Sequence, residues 1–167
     1  MSSVIIVGNG TSIIKKKNGL KIDSFDVVVR FNSFKIIQKF TGKKTSHWFT
    51  VNTNHIGESF TKIHMHSWFF NKEECKIYKE LSEVSFCTKT TKKDVLDTGL
   101  NFPSTGLIAI FKYIARYGFV TITGFDWWDT ENHHYADNEK RGSLHDPTKE
   151  KEIIMSLISQ GKVFFLK

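Results

Sequence analysis

Cysteine and proline are scarce in this 167-residue chain, with two of each. Cys75 and Cys87 are too few for a disulfide framework. With no export signal in view, two free thiols are the expectation. Long apolar runs are missing as well, and no stretch approaches the ~20 residues of a membrane span. Residues 1–7 lead straight into a strand pattern, without the basic segment and cleavage site of a signal peptide. These absences point to a cytoplasmic protein, or to a catalytic domain cut from a longer one. Internal repeats and low-complexity tracts are also lacking. The length suits one domain spanning residues 1–167.

Acid is in short supply. Seventeen Asp and Glu face twenty-four Lys and Arg, for a formal net charge of +7 and a pI near 9.4. A basic surface draws nucleic acid, anionic membrane or a phosphate-bearing substrate. The lysines at 15–17, 43–44 and 92–93 come in short, scattered clusters, which read as solvated loop and helix ends or as a dedicated patch. No RNA-binding signature accompanies them, so nucleic acid is not expected as a partner. Peripheral contact with a membrane stays open.

What is present is an alternation of apolar runs and helical patterns. Residues 3–7 form a β-branched run that ends at Gly8-Asn9-Gly10, and residues 27–31 repeat the pattern before Asn32. Further strands are expected at 48–51, 67–70 and 84–87, with a helical stretch at 73–81. Pro103-Ser104-Thr105-Gly106 opens the clearest helix. Its apolar residues recur at helical spacing until Gly118. A strand at 119–123 closes on Gly124, and residues 129–144 read as a polar loop. Pro147 starts a last helix to about residue 160, and residues 163–166 a final strand. This order implies β-α-β units and an α/β fold with a parallel sheet flanked by helices. Ligands of such sheets bind beyond the carboxyl ends of the strands. Gly8-Asn9-Gly10, Asn32 and Gly124 are therefore expected on the binding edge.

Several segments carry chemistry. The glycines of Gly8-Asn9-Gly10 let a backbone approach a phosphate, and Asn9 adds uncharged donors, although an ordinary turn has the same look. Ser104, Thr105 and Gly106 at a helix start serve as an N-cap or as an anion cradle. His133-His134-Tyr135 and His145 suit phosphate contact and proton transfer. Three histidines could hold zinc, but His133, His134 and His145 match no metal-ligand spacing. Asp126-Trp127-Trp128-Asp129 contains no Asp-x-Asp, the spacing that holds a divalent ion on a sugar diphosphate. No metal or other cofactor is expected. The two tryptophans serve packing or sugar stacking equally well.

In combination and order these segments resemble the four motifs of the eukaryotic-type sialyltransferases. V-I-I-V-G-N-G with G-L-K-I-D-S-F-D-V-V-V-R-F-N looks like the large sialylmotif. P-S-T-G-L-I-A-I through T-I-T-G-F resembles the small one. His133-His134-Tyr135-Ala136-Asp137 is similar to motif III, and His145 with Glu150 five residues on resembles the very small motif. Together they cover roughly two fifths of the chain. The first motif is also similar to that of Campylobacter-type bacterial sialyltransferases. Residues 49–101 carry no resemblance. The family's motif cysteines would fall near Val4 and Tyr117, which points to a bacterial or viral source. Gly10 stands where the family usually has Ser, and Ala136 where motif III has an aromatic.

The resemblance implies a Rossmann-like, GT-A-like sheet and a metal-independent, inverting transfer of sialic acid from a CMP-sugar donor to a glycan or glycolipid acceptor. A related nonulosonic acid or Kdo would use the same donor motifs. Gly8, Asn9, Gly10 and Asn32 would hold the nucleotide, and Ser104, Thr105 and Gly106 would line the donor site, with the hydroxyls near the sugar carboxylate or ribose. Gly124 and Phe125 would shape the cytidine pocket. His134 and Tyr135 would bind the phosphate, and His145 would be the general base. A nucleotide-binding module without turnover is the alternative.

Overall fold

A computed structural model of the chain describes residues 2–32, 34–50, 62–65, 86–127, 135 and 145–167. Strand β1 (Val4–Val7) leads through a 3-10 turn (Thr11–Lys15) to the short helix α1 (Gly19–Asp23) and to β2 (Val27–Phe31). Helix α2 (Gln38–Thr41), β3 (His47–Thr50), β4 (Lys62–Met65), β5 (Phe86–Lys89) and α3 (Lys92–Leu96) follow. The chain ends with α4 (Thr105–Tyr117), β6 (Val120–Thr123), α5 (Pro147–Ser159) and β7 (Val163–Phe165).

The strands form one seven-stranded sheet in the order β5-β4-β3-β2-β1-β6-β7, and every neighbouring pair is parallel. The chain winds outward from β1 to β5, then returns to lay β6 against the other side of β1. The strand order thus reverses between β1 and β6, where an open parallel sheet parts and leaves a crevice. The expected α/β, Rossmann-like architecture is observed.

Both faces of β1 are buried, so its residues read as an unbroken apolar run rather than an alternation. Ile6, Val29, Ile122 and Val163 pack with Leu107, Ile110 and Ile154 beneath α4 and α5. Ile5, Val7 and Val28 meet Ile13 and Ile22 on the opposite face. Helix α4 starts where Ser104 Oγ accepts the Leu107 N–H at 3.2 Å, and Gly118 ends it at φ +86°.

The strands at 4–7, 27–31, 120–123 and 163–165 and the two long helices lie within about a residue of their expected places. The strand expected at 84–87 begins two residues later, at Phe86. Strand β4 is unannounced in the sequence, since Lys-Ile-His-Met has no apolar run. The expected strand 67–70 and helix 73–81 lie outside the described residues. Helices α1, α2 and α3 have four or five residues each, too short to print a periodic stripe. Helix α3 is marked instead by the reciprocal capping bonds of Thr91 and Asp94.

Candidate active site

The crevice between β1 and β6 is closed at its base by two turns that touch. Gly8 N–H donates to Thr123 O at 2.8 Å, and Gly10 N–H to Gly124 O at 2.9 Å. The approach leaves no room for side chains. A Cβ on Gly8 would stand 2.3 Å from Gly124 O, and one on Gly124 would stand 2.5 Å from Gly8 O. Gly124 also has φ +72°, which favours glycine.

Above this contact lies a cavity of about 170 Å³, whose walls come from five separate parts of the sequence. Gly8, Asn9 and Gly10 supply one side, and Phe31 and Asn32 at the end of β2 the next. The start of α4 contributes Ser104, Thr105 and Gly106. Residues Gly124 to Trp127 and the start of α5, with His145 and Glu150, complete it. All of the expected donor-binding residues thus line one space, together with His145.

The details revise several roles. Asn9 is buried, and its Nδ2 donates to Phe31 O at 3.1 Å, so the amide first ties the ends of β1 and β2 together. Asn32 takes φ +42°, which asparagine tolerates better than most residues. Its N–H donates to Phe49 O at 2.7 Å, and its carbonyl accepts from Trp48 Nε1 at 3.0 Å. Ser104 differs from expectation. Its hydroxyl donates to Glu150 Oε2 at 2.7 Å while accepting from Leu107 N–H, and its own N–H donates to Glu150 Oε1 at 2.6 Å. The Ser104 hydroxyl is therefore committed to protein partners. The groups that α4 offers a ligand are the first-turn N–H groups of Thr105 and Gly106, which have no intrahelical acceptor.

Tyr135 also departs from expectation. Its hydroxyl is taken up by the main chain of Lys35, accepting the N–H at 3.0 Å and donating to the carbonyl. Its own N–H donates to Asn9 O at 3.0 Å. Burial raises the phenol above its ordinary value. The side chain ties residue 135 to the Lys35 main chain, and the main-chain N–H ties it to the Gly8-Asn9-Gly10 turn, so the hydroxyl is not offered to a phosphate. His133 and His134 lie outside the described residues.

His145 stands just before α5, with Nδ1 3.0 Å from Phe102 O. A carbonyl can only accept, so in the neutral form of the ring Nδ1 carries the proton and Nε2 the lone pair. Glu150, one turn into α5, is buried against Ser104. Burial raises its carboxyl above the ordinary value, and the two Ser104 bonds and the neighbouring His145 oppose that shift. Among the described residues no three His, Cys, Asp or Glu side chains gather as a metal site.

Three residues of the site were named in the sequence but left without a settled role there. Glu150 was visible only as part of a motif, without a role. Asp126 accepts from Ser12 N–H at 2.8 Å, from Thr11 Oγ1 at 3.2 Å and from the Ser12 hydroxyl, which anchors the 3-10 turn behind the glycines. Trp127 has φ +46°, lines the cavity and packs edge-on against Phe165, with centroids 6.0 Å apart. Its buried Nε1 has no hydrogen-bond partner among the described residues. The Asp-Trp pair two residues after the strand-ending Gly124 was the available signal, since that position falls on the binding edge.

No curated protein sequence matches the chain. Residues 1–82 match the model of glycosyltransferase family 29 (sialyltransferase). A mammalian sialyltransferase structure superposes with a TM-score of 0.78 at 18% identity, covering 99% of this chain and 69% of that one. A second mammalian sialyltransferase structure, in complex with Gal-beta-1-3GalNAc-ortho-nitrophenol, gives 0.76 at 17% identity over 99% and 69%. The sialyltransferase CstII from Campylobacter jejuni, in complex with the substrate analogue CMP-3FNeuAc, gives 0.70 at 16% identity, covering 99% and 82%. These likenesses carry the fold. Over residues 1–82 the chain is similar to glycosyltransferase family 29, the sialyltransferases.

Proposed function

We propose that this protein transfers sialic acid, or a related nonulosonic acid or Kdo, from a CMP-sugar to a glycan hydroxyl, with inversion and without a metal ion. The observation that carries the reading is the cavity at the strand-order reversal. It brings Gly8-Asn9-Gly10, Asn32, the start of α4, Gly124-Phe125 and His145 around one space. The family match over residues 1–82 and the like fold of a sialyltransferase in complex with CMP-3FNeuAc support the donor class.

The nucleotide lies against the two touching turns, where the absence of side chains lets backbone groups reach it. The first-turn N–H groups of α4 face the donor's anionic groups. His134 contacts the phosphate and stabilises its charge as it leaves, while Tyr135 holds the adjoining chain on the Asn9 carbonyl. His145 acts as the base through Nε2. The acceptor hydroxyl gives its proton to Nε2, and its oxygen forms the bond to the anomeric carbon. The bond from that carbon to the phosphate oxygen breaks on the opposite side, and CMP departs with the electron pair. One in-line displacement of this kind inverts the anomeric centre. CMP is a good leaving group, so positioning, charge stabilisation and one base are the chemistry asked of the protein.

A donor panel tests this. CMP-sialic acid, CMP-Kdo and UDP-sugars are incubated with β-galactoside acceptors in EDTA, and products are read by mass and anomeric configuration. Sialylated product of inverted configuration is expected. CMP binding without product or donor hydrolysis would favour a binding module instead.

A further inference from the structure

The two ends of the sequence share a property that the candidate site does not use. Residues 1–22 and 153–167 contain no Asp or Glu, yet they carry Lys15, Lys16, Lys17, Lys21 and Lys167. The fold brings them together. Lys21 Nζ donates to Lys167 O at 2.9 Å, joining α1 to the residues after β7. Lys15, Lys16 and Asn18 form one side of a groove of about 320 Å³, and Trp127, Phe165 and Leu166 form the other. This groove shares the stretch from Gly124 to Trp127 with the candidate site.

The same face exposes apolar side chains that the core does not claim. Leu20 is 82% exposed and Phe164 47%, and Ile14 is also open to solvent. Isolated exposed apolar residues need no explanation, but apolar groups interleaved with lysines do. The bordering carboxylates are held by neutral donors. Asp23 accepts from Lys43 and Lys44 N–H, Asp26 from Ser3, and Asp126 from Thr11 and Ser12. They are outnumbered by the lysines, so the face keeps a positive excess.

We propose that this face, formed by the 3-10 turn, α1 and β7, docks on an anionic lipid surface, with Leu20, Ile14 and Phe164 entering the headgroup boundary and the lysines meeting lipid phosphates. Lysines beside aliphatic side chains fit that partner, because each chemistry finds its own layer there. A nucleic-acid surface would use aromatic platforms and arginine, and Leu20 would have no counterpart. The docking is independent of the donor reading, since lipid binding needs no sugar nucleotide. It would set the candidate site beside the membrane.

The test is co-sedimentation of the whole chain with vesicles of phosphatidylcholine alone, or with one third phosphatidylglycerol, at ~0.1 M salt. Binding to the anionic vesicles only is expected. The double variant Lys16→Glu, Lys17→Glu should lose at least ~10-fold in partitioning. Leu20→Ser should lose about 10-fold while keeping every charge. Both should unfold at the wild-type temperature, since these side chains are exposed. No binding to anionic vesicles, or undiminished binding by Leu20→Ser, would overturn the proposal. So would tighter binding to an oligonucleotide than to vesicles at the same salt. A concentration-dependent dimer that Leu20→Ser abolishes would assign the face to a second copy instead.

Discussion

His145 and Ser104 lie on the same rim, and each is defined by what its neighbours leave it. The Phe102 carbonyl fixes the His145 tautomer and leaves the lone pair on Nε2. His145→Ala should therefore lower turnover by ~10²–10⁴-fold with little change in CMP affinity. Steady-state rates and calorimetry on the same preparation check this, and unchanged turnover would remove His145 from the mechanism. His134→Ala should weaken both CMP binding and rate, because its proposed partner is the phosphate itself. Ser104 shows where residue types stop being informative. A serine before a helix reads as a cap or a ligand group. The deciding contact is Glu150, 46 positions away, which takes the hydroxyl proton. Asn9 and Tyr135 are similar cases. The sequence places them at the site, but only the fold shows that their polar groups first hold protein main chain.

At the level of elements, the edge of the sheet is built by contacts that tolerate little change. Gly124→Ala would put a Cβ 2.5 Å from Gly8 O at a positive φ. It should destabilise the protein by about 2 kcal/mol or more and abolish CMP binding. Urea midpoints and calorimetry would measure both, and a variant with normal stability and affinity would contradict the touching turns. The link between α4 and α5 through Glu150 has a pH signature. Burial raises the Glu150 carboxyl in the folded state. Its ionisation therefore opposes folding, and the associated stability is present at low pH and lost as pH rises through the elevated folded value. Wild-type stability should fall relative to Glu150→Gln as pH rises from ~4.3 upward. Parallel pH profiles for the two proteins would show that Glu150 does not titrate abnormally. Strands β1 and β2 were legible because burial on both faces makes them continuous apolar runs bounded by glycine or polar residues, and β6 and β7 because glycines flank their β-branched and aromatic residues. Strand β4 and the short helices were not, because distant pairing and caps hold them.

For the whole molecule, the parallel order and its reversal between β1 and β6 account for why five dispersed segments meet. The parallel sheet and its binding edge could be anticipated from alternating strands and helices, with Gly8, Asn32 and Gly124 at strand ends, but the reversal was not. The order of strands beyond β3 was not legible, since residues 49–101 resemble no motif and β4 has no apolar run. Metal independence is part of the proposed function, and the transfer rate should then be unchanged by EDTA. Complete loss restored by manganese or zinc would refute it. The central claim is a donor site for a cytidine monophosphate sugar at the strand-order reversal. Isothermal calorimetry with CMP, UDP, GDP and AMP, in EDTA, tests it most directly. Selective binding of CMP is the predicted result. Equal binding of the four nucleotides, or no binding of CMP, would contradict it.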